Sequence, residues 1–461
     1  MKMSIRTPPT LLELAAKRLL RDQASAIAAL EDLPAELFPY LFAMAYRGGR
    51  RPQLLKALAQ AWPFTVLPLG VLMQRPPDHA PTRAAGLKPV LDALDVLLAQ
   101  EVRPRRCKLR VLDLRNTGTN FWDMWLGVGT ETCSLRELLT MHRSSPSMEH
   151  PLAPLEVFLD LTFDERDQDE FFMHIIQWAQ QREGLLHLCC KTLRISEVPF
   201  QRVSRVLDRV RLGCIQEVDV NCTWDLSTLG TFSLYLGTMS NLQEIFLMEQ
   251  EGERLDQEEQ RSFSQFLSQM LRLRHLRDLH MCSLSFLPGR LDQVLRCLQV
   301  PLYKFCLMCC PRLTRSDLTH LFQCPNLREL RVLHLTEVNL ADFSEPLRAL
   351  LEAVAPTLQF LGLDNCRMGD SQVEAILPVL SHCHRLRTFT IYMNNFPVAT
   401  VEKLLRHTTG LRSLGREVYP IPLECYRTRG TVNKERLALI QAELTMVLRE
   451  LGQPRTIQLA T

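Results

Sequence analysis

Fifteen cysteines are the side chains of this 461-residue sequence with the most reactive chemistry, and the densest group is Cys306, Cys309 and Cys310, with Cys324 beyond. A Cys-x-x-Cys can open a zinc site, which needs a second such pair or well-spaced histidines to complete four-fold coordination. Neither follows here, and cysteine is also a common small core residue, so no metal is expected. His382-Cys383-His384 reads in the same way, as the end of a helix. Gly127-Val128-Gly129 lacks the third glycine and the clear preceding strand that a dinucleotide-binding turn requires. No His-Glu-x-x-His, Gly-x-Ser-x-Gly or phosphate-loop run occurs. The expectation is a protein without cofactor or catalytic residue, not an enzyme.

The elements that carry these residues follow from composition and period. Hydrophobic residues make up 46% and charged residues 23%, so the chain can bury a large core and is not a disordered tail. Leucine accounts for 84 residues, an excess that calls for a fold using it at intervals. Bases number 54 against 51 acids, a net charge of +3, which is no footprint of a general nucleic-acid binder. Near the start, Glu13, Lys17, Arg18, Arg21 and Asp22 interrupt the apolar run, unlike a secretory signal. The longest apolar stretch, Ala61 to Met73, holds Pro63 and Pro68 and falls short of the ~20 residues of a spanning helix. A soluble protein of the cytoplasm or nucleus, with reduced thiols, is expected.

The sequence repeats itself. L-x-x-L-x-L or a conservative form recurs at Leu109/Leu112/Leu114, Ile215/Val218/Val220, Leu242/Ile245/Leu247 and Leu276/Leu279/Met281. It continues at Leu302/Phe305/Leu307, Leu327/Leu330/Val332, Leu358/Leu361/Leu363 and Leu386/Phe389/Ile391, with a partial copy at Leu411/Leu414. From residue 215 the first anchors are 27, 34, 26, 25, 31, 28 and 25 residues apart, the leucine-rich-repeat range. Cys366 and Asn394 stand three residues after the last anchor of their copies, where a side chain can bond the backbone as the strand turns. Helical periods lie between the strands, as in Asp370 to Cys383, where Val373, Ile376, Leu377 and Leu380 share a face. The fold class predicted is α/β, a leucine-rich-repeat solenoid or horseshoe with parallel strands on its concave face and helices on its convex face.

Three segments are predicted: a helical module over 1–100, the solenoid over 101–424 (irregular to 212, regular from 213), and a capping helix within 425–461. In the irregular part, a strand at Val157/Leu159/Leu161, a helix over Asp167–Glu183 and a strand over Leu185–Ile195 are expected. Gln74–Gly86 and Arg143–Pro154 read as loops. The cap carries the stripe Leu437, Ile440, Leu444, Val447, Leu451. Residues alternating with the leucines point outward from each strand, giving Asp219, Asn221, Glu244, Phe246, Met248, Asp278, His280, Met308, Arg331, Asp364 and Tyr392 as substrate-contact candidates. Asp113, Arg115, Glu217, Cys282, Lys304, Cys306, Glu329 and Phe360 share that alternation. The middle of this set is acidic with Met and Phe interspersed, which suits a basic, partly apolar protein segment.

Before the repeats, Thr10-Leu11-Leu12-Glu13 has the form of a capping box, and Leu11, Ala15 and Leu19 recur every four residues. Leu12, Leu14, Ala16 and Leu20 widen the apolar surface beyond the ~100° stripe that one domain core needs, which points to a second contact. Leu33-Pro34 then turns the chain into a helix over Ala35–Tyr46.

Long runs in this region and beyond resemble the PRAME family. They are Pro8-Pro9-Thr10-Leu11-Leu12-Glu13-Leu14-Ala15, the stretch Ala26 to Pro39, Gln60-Ala61-Trp62-Pro63-Phe64 with Leu67-Pro68-Leu69-Gly70, Gly184 to Lys191, and the carboxy-terminal repeats. The resemblance covers almost the whole chain. It implies a germline-type leucine-rich-repeat protein acting in proliferation, differentiation, apoptosis and transcription, with some members serving as substrate receptors of cullin–RING ubiquitin ligases. In that role Thr10, Leu11, Ala15 and Leu19 fit the elongin-binding box (Ser, Thr or Pro, then Leu, with Cys, Ser or Ala four residues on and an aliphatic four beyond), and Leu33-Pro34 fits the opening of a cullin box. Expected partners are elongin B/C, a cullin and a protein substrate, with nuclear transcription regulators as further partners and neither nucleic acid nor membrane bound directly. The alternative is a scaffold or transcriptional corepressor without ligase. Three L-x-x-L-L runs, at Leu94, Leu135 and Leu347, are what chance yields at this leucine frequency, and Arg103 to Lys108 reads as either an import signal or a loop. Nine lysines against 45 arginines would leave a ligase-bound receptor few sites for self-modification.

Overall fold

The computed structural model describes residues 10–48, 51–74, 83–100, 102–115, 122, 154–164, 169–248, 257–427, 430–452 and 457–460. Gly127 to Gly129, Leu135 and residues 143–153 lie outside them. The described strands, β1 to β13, are parallel, and their lateral order is their order in the chain, the α/β repeat architecture expected. The chain divides into two compact units: 1–161 with 166–191 and 208–211, and 162–165 with 192–207 and 212–461.

In the first unit, helices α1 (Leu11–Leu19), α2 (Gln23–Ala28), α3 (Leu37–Gly48) and α4 (Pro52–Gln60) precede β1 (Val66–Pro68). A strand inside the segment read as helical is a correction: Val66–Pro68 pairs with β2 (Val111–Asp113) in register Val66↔Val111. Helices α5 (Gly70–Gln74) and α6 (Arg83–Ala99) stand between them. Residues 83–86, read as loop, therefore open a helix instead. Strand β3 (Leu155–Phe163) and helix α7 (Asp169–Gln180) follow as expected, then β4 (Leu186–Ser196), whose first half belongs here. The core gathers Phe38, Phe42, Trp62 and Trp122. Trp62 and Trp122 send their indole N–H groups to the carbonyls of Val66 and Pro68, at 3.0 and 2.6 Å, so the aromatic core also holds the first strand.

The second unit begins with the rest of β4 and alternates α8 (Phe200–Leu207), β5 (Glu217–Asn221), α9 (Leu226–Leu236), β6 (Glu244–Met248), α10 (Gln257–Met270) and β7 (Asp278–Cys282). It continues α11 (Leu291–Arg296), β8 (Lys304–Met308), α12 (Arg315–Gln323), β9 (Val332–Thr336), α13 (Ser344–Val354) and β10 (Phe360–Asp364). It closes with α14 (Asp370–Leu380), β11 (Thr388–Thr390), α15 (Val398–Thr408), β12 (Arg416–Pro420), α16 (Lys434–Glu450) and β13 (Gln458–Ala460). Strands β6 to β11 turn their apolar anchors to the helices: Ile245, Leu279, Phe305, Leu333, Leu361 and Phe389 are fully buried side by side.

Register corrects two repeats. Phe305 pairs with Leu333 and Leu307 with Leu335, so the copy read at Leu327/Leu330/Val332 has its anchors at Leu330, Leu333 and Leu335. Leu327 belongs to the 3₁₀ turn Pro325–Leu327 that ends the preceding helix. Likewise Thr388 pairs with Arg416, which places Leu414, Glu417 and Tyr419 at the last anchors in place of Leu411/Leu414. Residue 302 and every first anchor after it, 330, 358, 386 and 414, then lie 28 apart. Glu417 takes a leucine's place, 4% exposed, with the Tyr419 hydroxyl donating to it at 2.6 Å.

The chain leaves β7 to β11 by the same device. Ser283, Cys309, Glu337, Asn365 and Met393 all take positive φ, between 50 and 58°, and the Cys309, Glu337 and Asn365 amides bond the Thr336, Asp364 and Tyr392 carbonyls, on or just after the next strand. Side chains in left-handed backbone are uncommon, so their recurrence marks a turn fixed by its neighbours. Asn394 acts as expected beneath it, accepting from the Cys366 and Met368 amides at 3.1 Å and donating to Leu363 and Ile391 carbonyls. Among the described residues no helix is long and apolar enough to cross a membrane.

Candidate functional site

The outward side chains of the second unit form three rows across its strands. Glu217, Glu244, Asp278 and Lys304 align in the first, and Asp219, Phe246, His280, Cys306 and His334 in the second. The third holds Asn221, Met248, Cys282, Met308, Thr336 and Asp364. Nine of the eleven predicted strand-face residues thus fall in these rows. Tyr392 follows β11, its amide donating to Asp364 at 3.2 Å. Arg331 does not join the rows. It precedes β9, is exposed, and stacks its guanidinium 4.4 Å from the centre of the Tyr303 ring.

Charge on this face is paired more than an acidic reading implies. Lys304 Nζ lies 2.7 Å from Asp278 and 3.7 Å from Glu244, and His280 Nε2 is 3.2 Å from Glu244. His334 Nε2 lies 3.0 Å from Asp364, which is 2% exposed and also accepts from the Thr390 hydroxyl. Burial disfavours charge on both imidazoles, but hydrogen bonds and the negative charges of Cys306 with Glu244 or Asp364 outweigh it and raise each to about 9. The His280 imidazole 3.2 Å away holds Glu244 below its usual range, while burial pushes Asp219 up despite Arg194 and His280. With both imidazoles charged, Arg194, His280, Lys304 and His334 offset four of the six negative groups Glu217, Asp219, Glu244, Asp278, Asp364 and Cys306. The acidic excess narrows to Glu217 and Asp219 on β5, with Phe246, Met248 and Met308 as apolar contacts beside them.

His334 and Thr336 are the face residues that sequence reasoning missed, because the slipped copy put Glu329 and Arg331 in their place. The 28-residue interval from 302 to 330 to 358 was the signal that finds them.

The amino-terminal helix forms a second surface. Thr10 caps it, its hydroxyl accepting from the Glu13 amide at 3.2 Å. Ala16 and Leu20 face inward, where α1 packs on α2 and α3. Leu11 is 86% and Leu14 49% exposed, Ala15 is exposed and Leu19 half-buried. The apolar surplus therefore divides, one stripe to the core and one to solvent. Leu33 is half-buried and Pro34 exposed in the turn before α3. Arg106 donates to the carbonyls of Glu31 and Leu33 and lies 5.4 Å from the Phe38 ring centre. Arg103 donates to Leu109. Two arginines of the basic run thus hold the unit's own backbone.

Among the described residues no three His, Cys, Asp or Glu side chains converge to hold a metal ion. A family model described as the PRAME N-terminal domain matches residues 8–122, and the PRAME C-terminal domain matches 155–461. Human PRAME family member 8 is 47% identical over 100% of this chain and 96% of its own length. Human PRAME family members 12 and 17 are 46% and 41% identical, over 100% and 99% of this chain and 94% and 95% of theirs. Among solved structures, a crystal structure of a TLR13–ssRNA13 complex aligns with 68% of this chain and 46% of that one at 12% identity, with a TM-score of 0.32. Matched by family models on both sides of residues 123–154, and by these relatives from end to end, the chain belongs to the PRAME family.

Proposed function

We propose that this protein is a non-catalytic substrate-recognition adaptor of a cullin–RING ubiquitin ligase. Helix α1 docks elongin, the turn at Leu33-Pro34 meets the cullin, and the strand face of the second unit holds a protein segment for ubiquitination. The observation that carries this reading is Leu11, 86% exposed on a capped helix whose other stripe already serves the core. A large aliphatic side chain left in water at that position is stabilising only when a partner covers it, at ~25 cal/mol per Å² buried. The strand face suits a segment with apolar side chains for Phe246, Met248 and Met308 and a base near Glu217 and Asp219. Working sites in the cytoplasm and nucleus belong to the same proposal.

Leu11→Glu tests it. Because Leu11 makes no core contact of consequence, the variant keeps the parent's melting temperature within about 2 °C. Co-purification of elongin from cells drops at least tenfold. Elongin recovered equally with parent and variant sinks the adaptor role and leaves a scaffold without ligase.

A further inference from the structure

Cys306 occupies the centre of the strand face with an imidazole on each side. Register pairs it with His280 on one strand and His334 on the other, and outward side chains on neighbouring strands stand about 4.8 Å apart. Each imidazole is anchored from beyond: His280 by Glu244 at 3.2 Å, and His334 by Asp364 and the Thr336 hydroxyl, both at 3.0 Å. Phe246 and Phe360 flank the rings at 6.1 and 5.3 Å between centres. Gly362 completes the fit, since a Cβ there would stand 2.4 Å from the His334 ring.

The thiol chemistry follows from this setting. Burial opposes a thiolate at Cys306, yet hydrogen bonds and positive charge from His280 and His334 together outweigh it and bring the thiol below its ordinary range. Nine other described cysteines move the opposite way, with burial as the leading cause. Glu244 and Asp364 act on the sulfur through the two imidazoles they hold, and Asp278, Lys304 and Asp219 are the remaining charges around the row. Cys306 is 5% exposed, whereas the His280 and His334 side chains keep 18% and 25%. At that exposure a reagent must be small to reach the sulfur.

We propose that Cys306 is a modification site, a thiolate that a hydroperoxide oxidises to sulfenic acid. The sulfur attacks one peroxide oxygen, so an S–O bond forms as the O–O bond breaks. Sulfur gives up two electrons and the peroxide accepts them. The departing hydroxide or alkoxide takes a proton from the His280 or His334 imidazolium, leaving Cys306 sulfenic acid, water or an alcohol, and a neutral imidazole.

The test treats the full chain with dilute hydrogen peroxide, then unfolds it in N-ethylmaleimide and measures each cysteine's unblocked fraction by peptide mass spectrometry. At pH 6.5 only about one ordinary thiol in a hundred is a thiolate. Cys306 should therefore be oxidised at least tenfold faster than the more exposed Cys107, Cys189, Cys214 and Cys309, with oxidised glutathione much slower than peroxide. From pH 8.5 to 6.5 its rate should fall by clearly less than the roughly fiftyfold expected of an ordinary thiol. The double change His280→Gln with His334→Gln should restore that ordinary pH dependence. A Cys306 rate no greater than that of the four half-buried thiols, or one that falls roughly fiftyfold with pH in the parent protein, overturns the proposal. Because the pH profile is read on the unaltered chain, the outcome does not depend on whether the double variant folds.

Discussion

His334 shows how one side chain couples the strand face to stability. Its imidazole joins Asp364 from β10, Thr336 from its own strand and Cys306 from β8, so three strands share one proton. The folded value of about 9 lies above the ordinary 6.5 of the unfolded chain. A group raised on folding stabilises fully below its unfolded value, and that contribution is lost as pH climbs through the folded one. The second unit should therefore lose on the order of 2 kcal/mol between pH 6 and pH 9.5 through this histidine, with a like term from His280. His334→Gln should be less stable than the parent at pH 6 and nearly level with it at pH 9.5, read from urea midpoints at the two pH values. A constant gap between parent and variant would show that folding leaves the proton affinity of His334 unchanged. The same row explains a limit of sequence reading: charge along a strand was legible, but pairing across strands was not. Glu244, Asp278 and Lys304 lie 34 and 26 residues apart, and only register reveals that they neutralise one another.

Elements were legible wherever period was strong. Helices over Asp370–Leu380 and Lys434–Glu450, and strands over Leu155–Phe163 and Leu186–Ser196, fall where the apolar spacing put them. Strands β1 and β13 escaped because each has three residues, too few to alternate visibly, and the first ends in a proline, which weakens a strand reading. The slip at β9 has a different cause. Leu327-x-x-Leu330-x-Val332 satisfies the repeat as well as Leu330-x-x-Leu333-x-Leu335 does, because Leu327 is itself buried in the turn that ends a helix. Three residues of slip turn the outward set over, which is how His334 was lost from the candidate face. Glu417 hid the last copy by putting a carboxylate where the pattern expects an aliphatic. The corrected register is open to direct test. Leu333 is fully buried while Val332 is half-buried on the outward side, so Leu333→Ala should cost ~2–5 kcal/mol and Val332→Ala less than about 1 kcal/mol. Equal costs in thermal or urea unfolding would restore the earlier alignment.

At the scale of the whole molecule, stacked repeats leave an apolar end that something must close. In the second unit we propose the segment after the last repeat for that task. Strand β13 pairs with β12 in register Val418↔Gln458, and the Ile421 amide bonds the Ala460 carbonyl at 3.2 Å. Helix α16 packs beside α15 and buries Ile440, Leu444 and Leu448, while Leu439 and Met446 on its other side are exposed. The helix was legible because its apolar residues keep a 3.6-residue period, whereas the strand behind it was not, so the expected cap segment holds a strand beside its helix. Three fully buried aliphatic side chains are worth ~2 kcal/mol each, a sum that rivals the ~5–15 kcal/mol stability of an entire domain. Ending the chain at residue 424 should therefore produce insoluble protein, or soluble protein that binds a hydrophobic dye. Leu444→Asp keeps the length and places a charge in the same seam, so it should lower the unfolding midpoint sharply. Leu439→Asp, on the exposed side of the same helix, should leave the midpoint within about 1 kcal/mol of the parent. Were all three proteins as soluble and stable as the parent, the repeats would close without this segment, and Tyr419 with Glu417 would have to seal the end through their own hydrogen bond.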